Sequence, residues 1–294
     1  KDELKIFGVG GLSDELWRIR DTSLWQTSWD YIGEVSGSHM GILGASYRRL
    51  LDDKSYLRIT AGVVYNYLFD TEFVPNFSAP TDITQYDTTE VNDYHLIRSQ
   101  LHLTYSNKLH RLFRLKAGLS GHAITYMLNY MEDSPDYGKH QFLSDKGTSF
   151  LMQGYATGSY RPSSKWTINF GFNALFFTLN NTYSIDPRVA FRFKPFKKTT
   201  LTLAYGIHSR ILPIGTYMLD IPDTISGLTS KPNMNLDVIK MHHVVLGYQQ
   251  VIGSGFRTNL ELYYQQGWNV PIEADSSSSF SLFNQRDGYG MVPM

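Results

Sequence analysis

The strongest pattern in this chain is the alternation of apolar and polar residues, and it is clearest between residues 55 and 70. Apolar side chains occupy the odd positions from Leu57 to Phe69, whereas most even positions between them carry a polar side chain or glycine. Successive side chains of a β-strand point to opposite sides of the sheet. A period of two therefore predicts a strand with one apolar face and one polar face.

Residues 166–194 repeat this pattern over two neighbouring segments. Large rings, including Trp166 and Phe172, alternate with small polar residues, and after a turn at 180–182 the polar positions include charged residues such as Arg188. A charged side chain that faces lipid near the middle of a bilayer destabilises a barrel strand. These segments therefore favour strands of a membrane β-barrel, with the apolar face towards lipid and the polar face towards a lumen.

The same alternation predicts about eleven strands along the whole chain. They lie at residues 4–10, 31–50, 55–70, 93–105, 112–128, 148–160, 166–179, 183–194, 199–210, 237–252 and 256–269. This spacing predicts an all-β fold. A β-propeller, the main soluble alternative, would show a repeat of about 40 to 50 residues, and the sequence contains no such repeat.

The segments between these strands alternate in length, with one short exception at 180–182. The long ones are 11–30, 71–92, 129–147 and 211–236, and the short ones are 51–54, 106–111, 161–165, 195–198 and 253–255. An antiparallel up-and-down meander with two different ends produces this order, and outer-membrane barrels combine long external loops with short periplasmic turns.

Composition narrows the class of protein further. The chain has 294 residues, and its 27 Lys and Arg balance its 27 Asp and Glu, which argues against nucleic acid as the main partner. It contains no cysteine, so disulfide scaffolds and thiolate metal sites are excluded. No stretch of eighteen apolar residues is present, which argues against a transmembrane helix. Twenty Tyr and 17 Phe suit the aromatic girdles of a membrane barrel.

Four basic residues on the predicted lumen side are the candidate ligand-facing residues. They are His208, Arg210, Arg188 and Arg192. The competing interpretation is that these side chains are simply solvated in the lumen. The adjacent pair His242 and His243 is predicted to be structural, because neighbouring residues of a strand point to opposite faces and cannot bind one metal ion.

The sequence predicts no catalytic, cofactor-binding or metal-binding residues. A hydrolase would need a serine, a histidine and an acid or amide on one surface, and the available His102 and Ser120 do not single out such a site. Acidic residues in the predicted loops lack the spacing of a calcium loop. These are Asp82, Asp87, Glu90, Asp93, Glu132, Asp133 and Asp136.

Four segments carry a resemblance to a known family. They are SIDPRVAFRFKP (184–195), LTLAYGIHSRILP (201–213), IKMHHVVLGYQQVIGSGFRTNLELYYQQGWNVPI (239–272) and SSSFSLFNQRDGYG (277–290). In letters and spacing they resemble the middle-to-late barrel of TonB-dependent outer-membrane receptors of the Bacteroidota. The resemblance is specific over residues 180–290 and diffuse over residues 1–180.

The resemblance implies a plugged barrel of about 22 strands that imports a nutrient such as a siderophore, a glycan or a peptide. Residues 1–294 would form a single, open barrel segment of about eleven strands without a plug domain, with the plug expected before Lys1 and the last strands after Met294. The implied location is the cell outer membrane of a Bacteroidota-like Gram-negative bacterium. The implied partners are outer-membrane lipid, the TonB complex through N-terminal parts, and a surface lipoprotein.

Two other functions remain compatible with the pattern. The first is a passive, porin-like outer-membrane channel, which would lack the plug. The second is a soluble all-β binding protein, which would need no detergent to stay in solution.

Overall fold

The structure, a computed structural model, describes residues 2–19, 23, 25–76, 86–134, 138–222, 229–274, 277 and 281. Eleven long strands form one sheet. They are β1 (Glu3–Trp17), β2 (Gly33–Leu50), β3 (Ser55–Pro75), β4 (Tyr86–His110), β5 (Phe113–Ser134), β6 (Gly138–Tyr160), β7 (Trp166–Phe177), β8 (Thr182–Phe193), β9 (Thr199–Arg210), β12 (Ile239–Ile252) and β13 (Phe256–Trp268). Between β9 and β12 lie the short helix α1 (Ile214–Met218) and a two-stranded sheet of β10 (Ile221–Pro222) and β11 (Thr229–Ser230).

The long strands follow one another in space as they do in the chain. The order in the sheet is β1-β2-β3-β4-β5-β6-β7-β8-β9-β12-β13, and every neighbouring pair is antiparallel. Strands β1 and β13 lie at the two edges and do not pair with each other, so the sheet is open. The predicted all-β, antiparallel up-and-down fold and its open form are confirmed.

The two faces of the sheet differ as the alternation predicts. The register aligns Ile59 with Leu103, and Leu103 with Leu119; these side chains are 40 %, 39 % and 65 % exposed. We call this apolar, exposed side the outer face. The opposite side, the inner face, carries polar residues such as Thr60 and His102, which lie directly across from each other.

Several strands extend beyond their predicted ends. Strand β1 continues to Trp17. Strand β5 continues to Ser134 and strand β6 already begins at Gly138, so the predicted loop 129–147 is wrong. The predicted loop 71–92 is wrong in its outer parts, because β3 continues to Pro75 and β4 begins at Tyr86; residues 77–85 lie outside the described part of the chain. A transmembrane strand needs only about 9 to 11 residues, so the extra residues of these strands form paired extensions.

The buried core lies on the inner face, at the end of the sheet with the longer connections. Residues 211–222 and 229–238, called here the inward segment, pack on the inner sides of β5, β6 and β7. The buried apolar residues of the segment are Leu212, Ile214, Tyr217, Met218, Leu219 and Val238; those of the strands are Ile124, Tyr126, Leu128, Tyr130, Phe142, Leu143, Leu151, Leu175 and Phe177. Burial of both sets stabilises the segment against the sheet.

Within the ranges that the structure describes, no helix is long and apolar enough to cross a membrane.

Candidate functional site

A cavity of about 490 Å³ opens on the inner face, across β6 to β9 and β12. Its lining includes the polar residues Tyr155, Thr157, Asn169, Asn173, Arg188, Tyr205, His208 and His243. Small-molecule sites in proteins are clefts of about 300 to 1,000 Å³ with a few polar groups that orient the ligand. The cavity is therefore large enough for a small solute or for one end of a larger one.

The register of the strands brings these residues together around a glycine. Gly206 of β9 lies across from Arg188 of β8 on one side and from His243 of β12 on the other. A Cβ atom at Gly206 would lie 3.1 Å from Cγ of Arg188 and 3.4 Å from Nε2 of His208. The absence of a side chain at this position leaves room for Arg188 and His208 at the wall of the cavity.

Two histidines form one side of the site. The rings of His208 and His243 meet edge to face, with their centroids 4.7 Å apart. Nε2 of Gln265 donates a hydrogen bond of 3.0 Å to Nδ1 of His243. In this arrangement the proton of a neutral His243 ring lies on Nε2, which is then available as a donor.

Arg188 carries the fixed positive charge of the site. Its Nε donates to the carbonyl oxygen of Ile207 at 3.4 Å, which holds the side chain against β9. The nearby carboxylate of Asp186 is 1 % exposed and does not form an ion pair with Arg188. Instead, Asp186 accepts hydrogen bonds from the hydroxyls of Ser184 and Ser209 and from the Ser209 backbone N–H, at 2.7 to 3.1 Å.

The structure separates the four candidate ligand-facing residues. Arg188 and His208 line the cavity, but Arg192 and Arg210 do not. Arg192 is exposed and lies across from Thr202, further along β8, and Arg210 is the exposed last residue of β9.

Sequence reasoning missed six polar residues of this site. His243 was predicted to be structural, and the other five, Tyr155, Thr157, Asn169, Asn173 and Tyr205, were not singled out; all six line the cavity. Their polar character was visible in the sequence. Their convergence was not, because it depends on the register between strands.

The inward segment lies on the same face and is held by specific contacts. The Tyr217 hydroxyl accepts a hydrogen bond from the Leu212 N–H at 3.1 Å, and the Tyr217 ring packs against Phe177 of β7. The Asp220 N–H donates to the carbonyl of Phe142 in β6 at 2.8 Å. These contacts order the segment, so it narrows the inner space beside the sheet.

Lys231 joins the inward segment to β6 through charge. Its ammonium group pairs with Asp145 of β6 and lies 3.3 Å from Asp220. Burial alone would lower the pKa of Lys231, but the hydrogen bond and charge of Asp145, together with Asp220, raise it above the ordinary value for lysine. Lys231 is therefore charged throughout the physiological pH range.

A row of carboxylates, called here the acidic rim, crosses the inner face at the long-connection end of β2 to β5. The register aligns Glu34 with Glu72, Glu72 with Glu90, and Glu90 with Glu132. Glu72, Glu90 and Glu132 lie beyond the predicted ends of their strands, in the extensions of β3, β4 and β5.

Burial and neighbouring carboxylates raise the pKa of two residues of the acidic rim, Glu90 and Glu72. Burial raises the pKa of Glu90 to about 7, and the negative charges of Glu72, Asp70 and Glu132 act in the same direction. A hydrogen bond of 2.6 Å from the side chain of Asn92 acts in the opposite direction. Burial and the carboxylates of Asp70, Glu34 and Glu132 also raise the pKa of Glu72. A carboxylate near like charges is more easily protonated.

The remaining residues considered for chemistry lie on the inner face of β4 and β5. His102 lies directly across from Ser120, and its ring is 5.0 Å from that of His122. Among the residues that the structure describes, no group of three or more His, Cys, Asp or Glu is arranged to hold a metal ion.

Comparison with known proteins gives a likeness of fold. No protein-family model matches the chain, and no curated protein matches it in sequence. Among solved structures it is similar to the RagAB peptide importer, with a TM-score of 0.54 and 14 % identity over 85 % of this chain and 32 % of that one. It is also similar to the copper transporter OprC, with a TM-score of 0.53 and 12 % identity over 90 % of this chain and 44 % of that one.

At such low identity the likeness concerns the fold alone. The chain spans about a third of the length of the peptide importer and less than half of that of the copper transporter. The open sheet thus has the strand arrangement of part of each of these two larger proteins.

Proposed function

We propose that this chain forms part of the wall of a TonB-dependent outer-membrane receptor that imports a nutrient. The observation that carries the proposal is the contrast between the two faces of the sheet. The outer face leaves rows of large apolar side chains exposed, including Ile59, Leu103 and Leu119. An apolar area of this extent is unfavourable in water and favourable in lipid.

The inner face supports a route for a polar solute. It holds a cavity with a basic residue, Arg188, that has no carboxylate at ion-pair distance among the described residues, and an ordered inward segment lies beside it. The likeness in fold to a peptide importer and a copper transporter supports transport rather than catalysis. The resemblance of residues 180–290 to TonB-dependent receptors favours active import of a siderophore, a glycan or a peptide.

The proposal includes the rest of the receptor. We expect one barrel of about 22 strands, to which residues 1–294 contribute a single wall segment and no plug domain. The expected location is the outer membrane of a Gram-negative bacterium of the Bacteroidota. The expected partners are outer-membrane lipid, the TonB complex and a surface lipoprotein.

Growth on a limiting nutrient tests the transport mechanism. The gene for the intact protein is deleted or retained in cells with and without a functional TonB complex, and uptake of candidate peptides, glycans and iron chelates is measured. Uptake that needs both the protein and TonB is expected. Uptake that persists without TonB would instead identify a passive channel, and recovery of the protein in the soluble fraction would identify a soluble binding protein.

Epitope tags test the orientation of the barrel. A tag at Asp87, in the long-connection end, is expected to bind antibody on intact cells, because long loops of outer-membrane barrels face outwards. A tag at Ser254, in the short turn between β12 and β13, is expected to bind only after permeabilisation. Antibody access to both tags on intact cells would contradict the proposed orientation.

A further inference from the structure

We propose that the cavity around Arg188, His208 and His243 binds an oxyanion group, a carboxylate or a phosphate, of the transported solute. This inference rests on the proposed import function and names the chemistry of the solute. It concerns the inner wall of the sheet, where the cavity of about 490 Å³ lies.

The first argument is a positive charge without an ion-pair partner. Arg188 uses its Nε on a backbone carbonyl, and within the described residues its guanidinium has no carboxylate at ion-pair distance. The nearest acid in the chain, Asp186, is occupied by Ser184 and Ser209. The fork of N–H groups on arginine matches the two oxygens of a carboxylate or phosphate.

The second argument is the set of neutral donors beside the arginine. Gln265 holds Nδ1 of His243, which leaves Nε2–H as a donor near His208. Across the cavity, the side-chain amides of Asn169 and Asn173 form no hydrogen bond to any residue that the structure describes, and each can supply two N–H donors.

The third argument is the distribution of charge on the inner face. The carboxylates of the acidic rim lie on β2 to β5, whereas the cavity is formed by β6 to β9 and β12. Asp186, which lies across from Asn173 in the register, is buried and accepts hydrogen bonds from Ser184 and Ser209, and it is not part of the lining. An anion in the cavity therefore meets Arg188 at a wall that contains no carboxylate.

Binding of simple oxyanions to the intact receptor, purified in detergent, tests the proposal. Titration calorimetry at low ionic strength uses inorganic phosphate and diglycine as probes, and N-acetylglycinamide, which has no carboxylate, as the neutral comparison. We expect binding of at least one of the two anions at millimolar concentration and no binding of the neutral amide. Phosphate alone would identify a phosphorylated solute, and diglycine alone would identify a carboxylate such as a peptide terminus.

Two variants and a control locate the binding. Arg188→Gln should weaken anion binding about tenfold or more, because the charge-assisted hydrogen bonds are lost. Asn173→Asp should weaken it to a similar extent with Arg188 still present, because it adds a carboxylate to the cavity. The matched control is Arg58→Gln, which removes an exposed arginine of the inner face on β3 and should leave binding within about twofold. Heat-modifiable mobility in gels checks that each variant has folded.

Three results would overturn the proposal. They are no binding of either anion by the wild-type protein, equal binding of the neutral amide, and an equal loss in Arg58→Gln. The proposed import function and the proposed oxyanion site can be refuted independently of each other. TonB-independent uptake with intact anion binding would refute active import alone, and TonB-dependent uptake without anion binding would refute the oxyanion site alone.

Discussion

At the scale of single residues, position along a strand decides the environment of a side chain. His242 and His243 are neighbours, yet His242 stacks on Trp268 at 4.1 Å and hydrogen-bonds to the hydroxyl of Tyr205 on the outer face. His243 meets His208 at the cavity on the inner face. The prediction that the two rings point to opposite faces is confirmed, because side chains alternate in a strand.

A charge placed on either face should report which one meets lipid. Val63→Arg, on the outer face, should lower assembly of the intact receptor, because a charge near the bilayer midplane costs about 2 to 4 kcal/mol. Thr60→Arg, on the inner face of the same strand, should be tolerated. The amount of heat-modifiable protein in the outer-membrane fraction is the measurement. Equal tolerance, or equal loss, would argue against a lipid-facing outer surface.

Glu90 should make the acidic rim sensitive to pH. Because the folded-state pKa of this acid, about 7, lies above its ordinary value of 4.5, the folded rim binds more protons than the unfolded chain between these pH values. The contribution of Glu90 to the stability of the folded protein is therefore fully present below a pH of about 4.5, and it is lost as the pH rises towards 7. Hydrogen exchange of the β3 and β4 amides, corrected for intrinsic rates, should be slower at pH 5 than at pH 8.

The substitution Glu90→Gln should flatten this pH dependence. The control Glu261→Gln removes an exposed carboxylate from the distant strand β13 and should not change it. A pH dependence that persists in Glu90→Gln would show that another group is responsible.

At the scale of elements, polar composition does not mark the end of a strand in this protein. The predicted loop 129–147 is paired over most of its length, with Tyr130 across from Leu143 and Glu132 across from His140. Paired extensions need no apolar outer face, because they satisfy their backbone groups between strands. The inward segment is the opposite case, a connection with enough apolar residues to be buried against the sheet.

Tyr217→Ala should release the inward segment from the sheet. The Tyr217 side chain is fully buried, and its hydroxyl accepts the Leu212 N–H. Loss of a large buried ring costs about 3 to 5 kcal/mol, so hydrogen exchange of residues 212–220 should become faster. Tyr183→Ala removes a tyrosine that is 70 % exposed and serves as the control. Unchanged exchange in Tyr217→Ala would show that the other contacts hold the segment by themselves.

At the scale of the whole molecule, the open sheet has two edge strands, β1 and β13, whose free edges need further strands to pair with in a membrane. Among the described residues, strands β1 and β13 each have a neighbouring strand on one side only. An unpaired strand edge in hydrocarbon leaves backbone groups without partners, at a cost of several kcal/mol each. The two edges must therefore pair with other strands wherever this sheet crosses a membrane.

Residues 1–294 refolded alone into detergent should consequently self-associate through β1 and β13 and should not form a closed monomer. Size-exclusion chromatography with light scattering measures the mass, and the intact receptor under the same conditions is the control. A monodisperse, heat-modifiable monomer with hydrogen bonds between β1 and β13 would show instead that these residues close into a small barrel.

Much of the fold could be predicted from the sequence, because alternation is a local property with a period of two residues. It correctly indicated about eleven long strands, their antiparallel order and the two faces of the sheet. It also indicated that His242 and His243 would separate. The ends of the strands were not predictable in this way, since the extensions beyond the apolar outer face carry no such alternation.

Only the tertiary structure decided which residues share a site. Arg188, His243 and Asn173 belong to three different strands, and their meeting depends on how those strands align with one another. It also decided that Leu212 and Tyr217 are buried on the inner face instead of projecting from the end of the sheet. The physical reason is that register and loop burial are determined by contacts between residues far apart in the chain, whereas alternation is determined by neighbours.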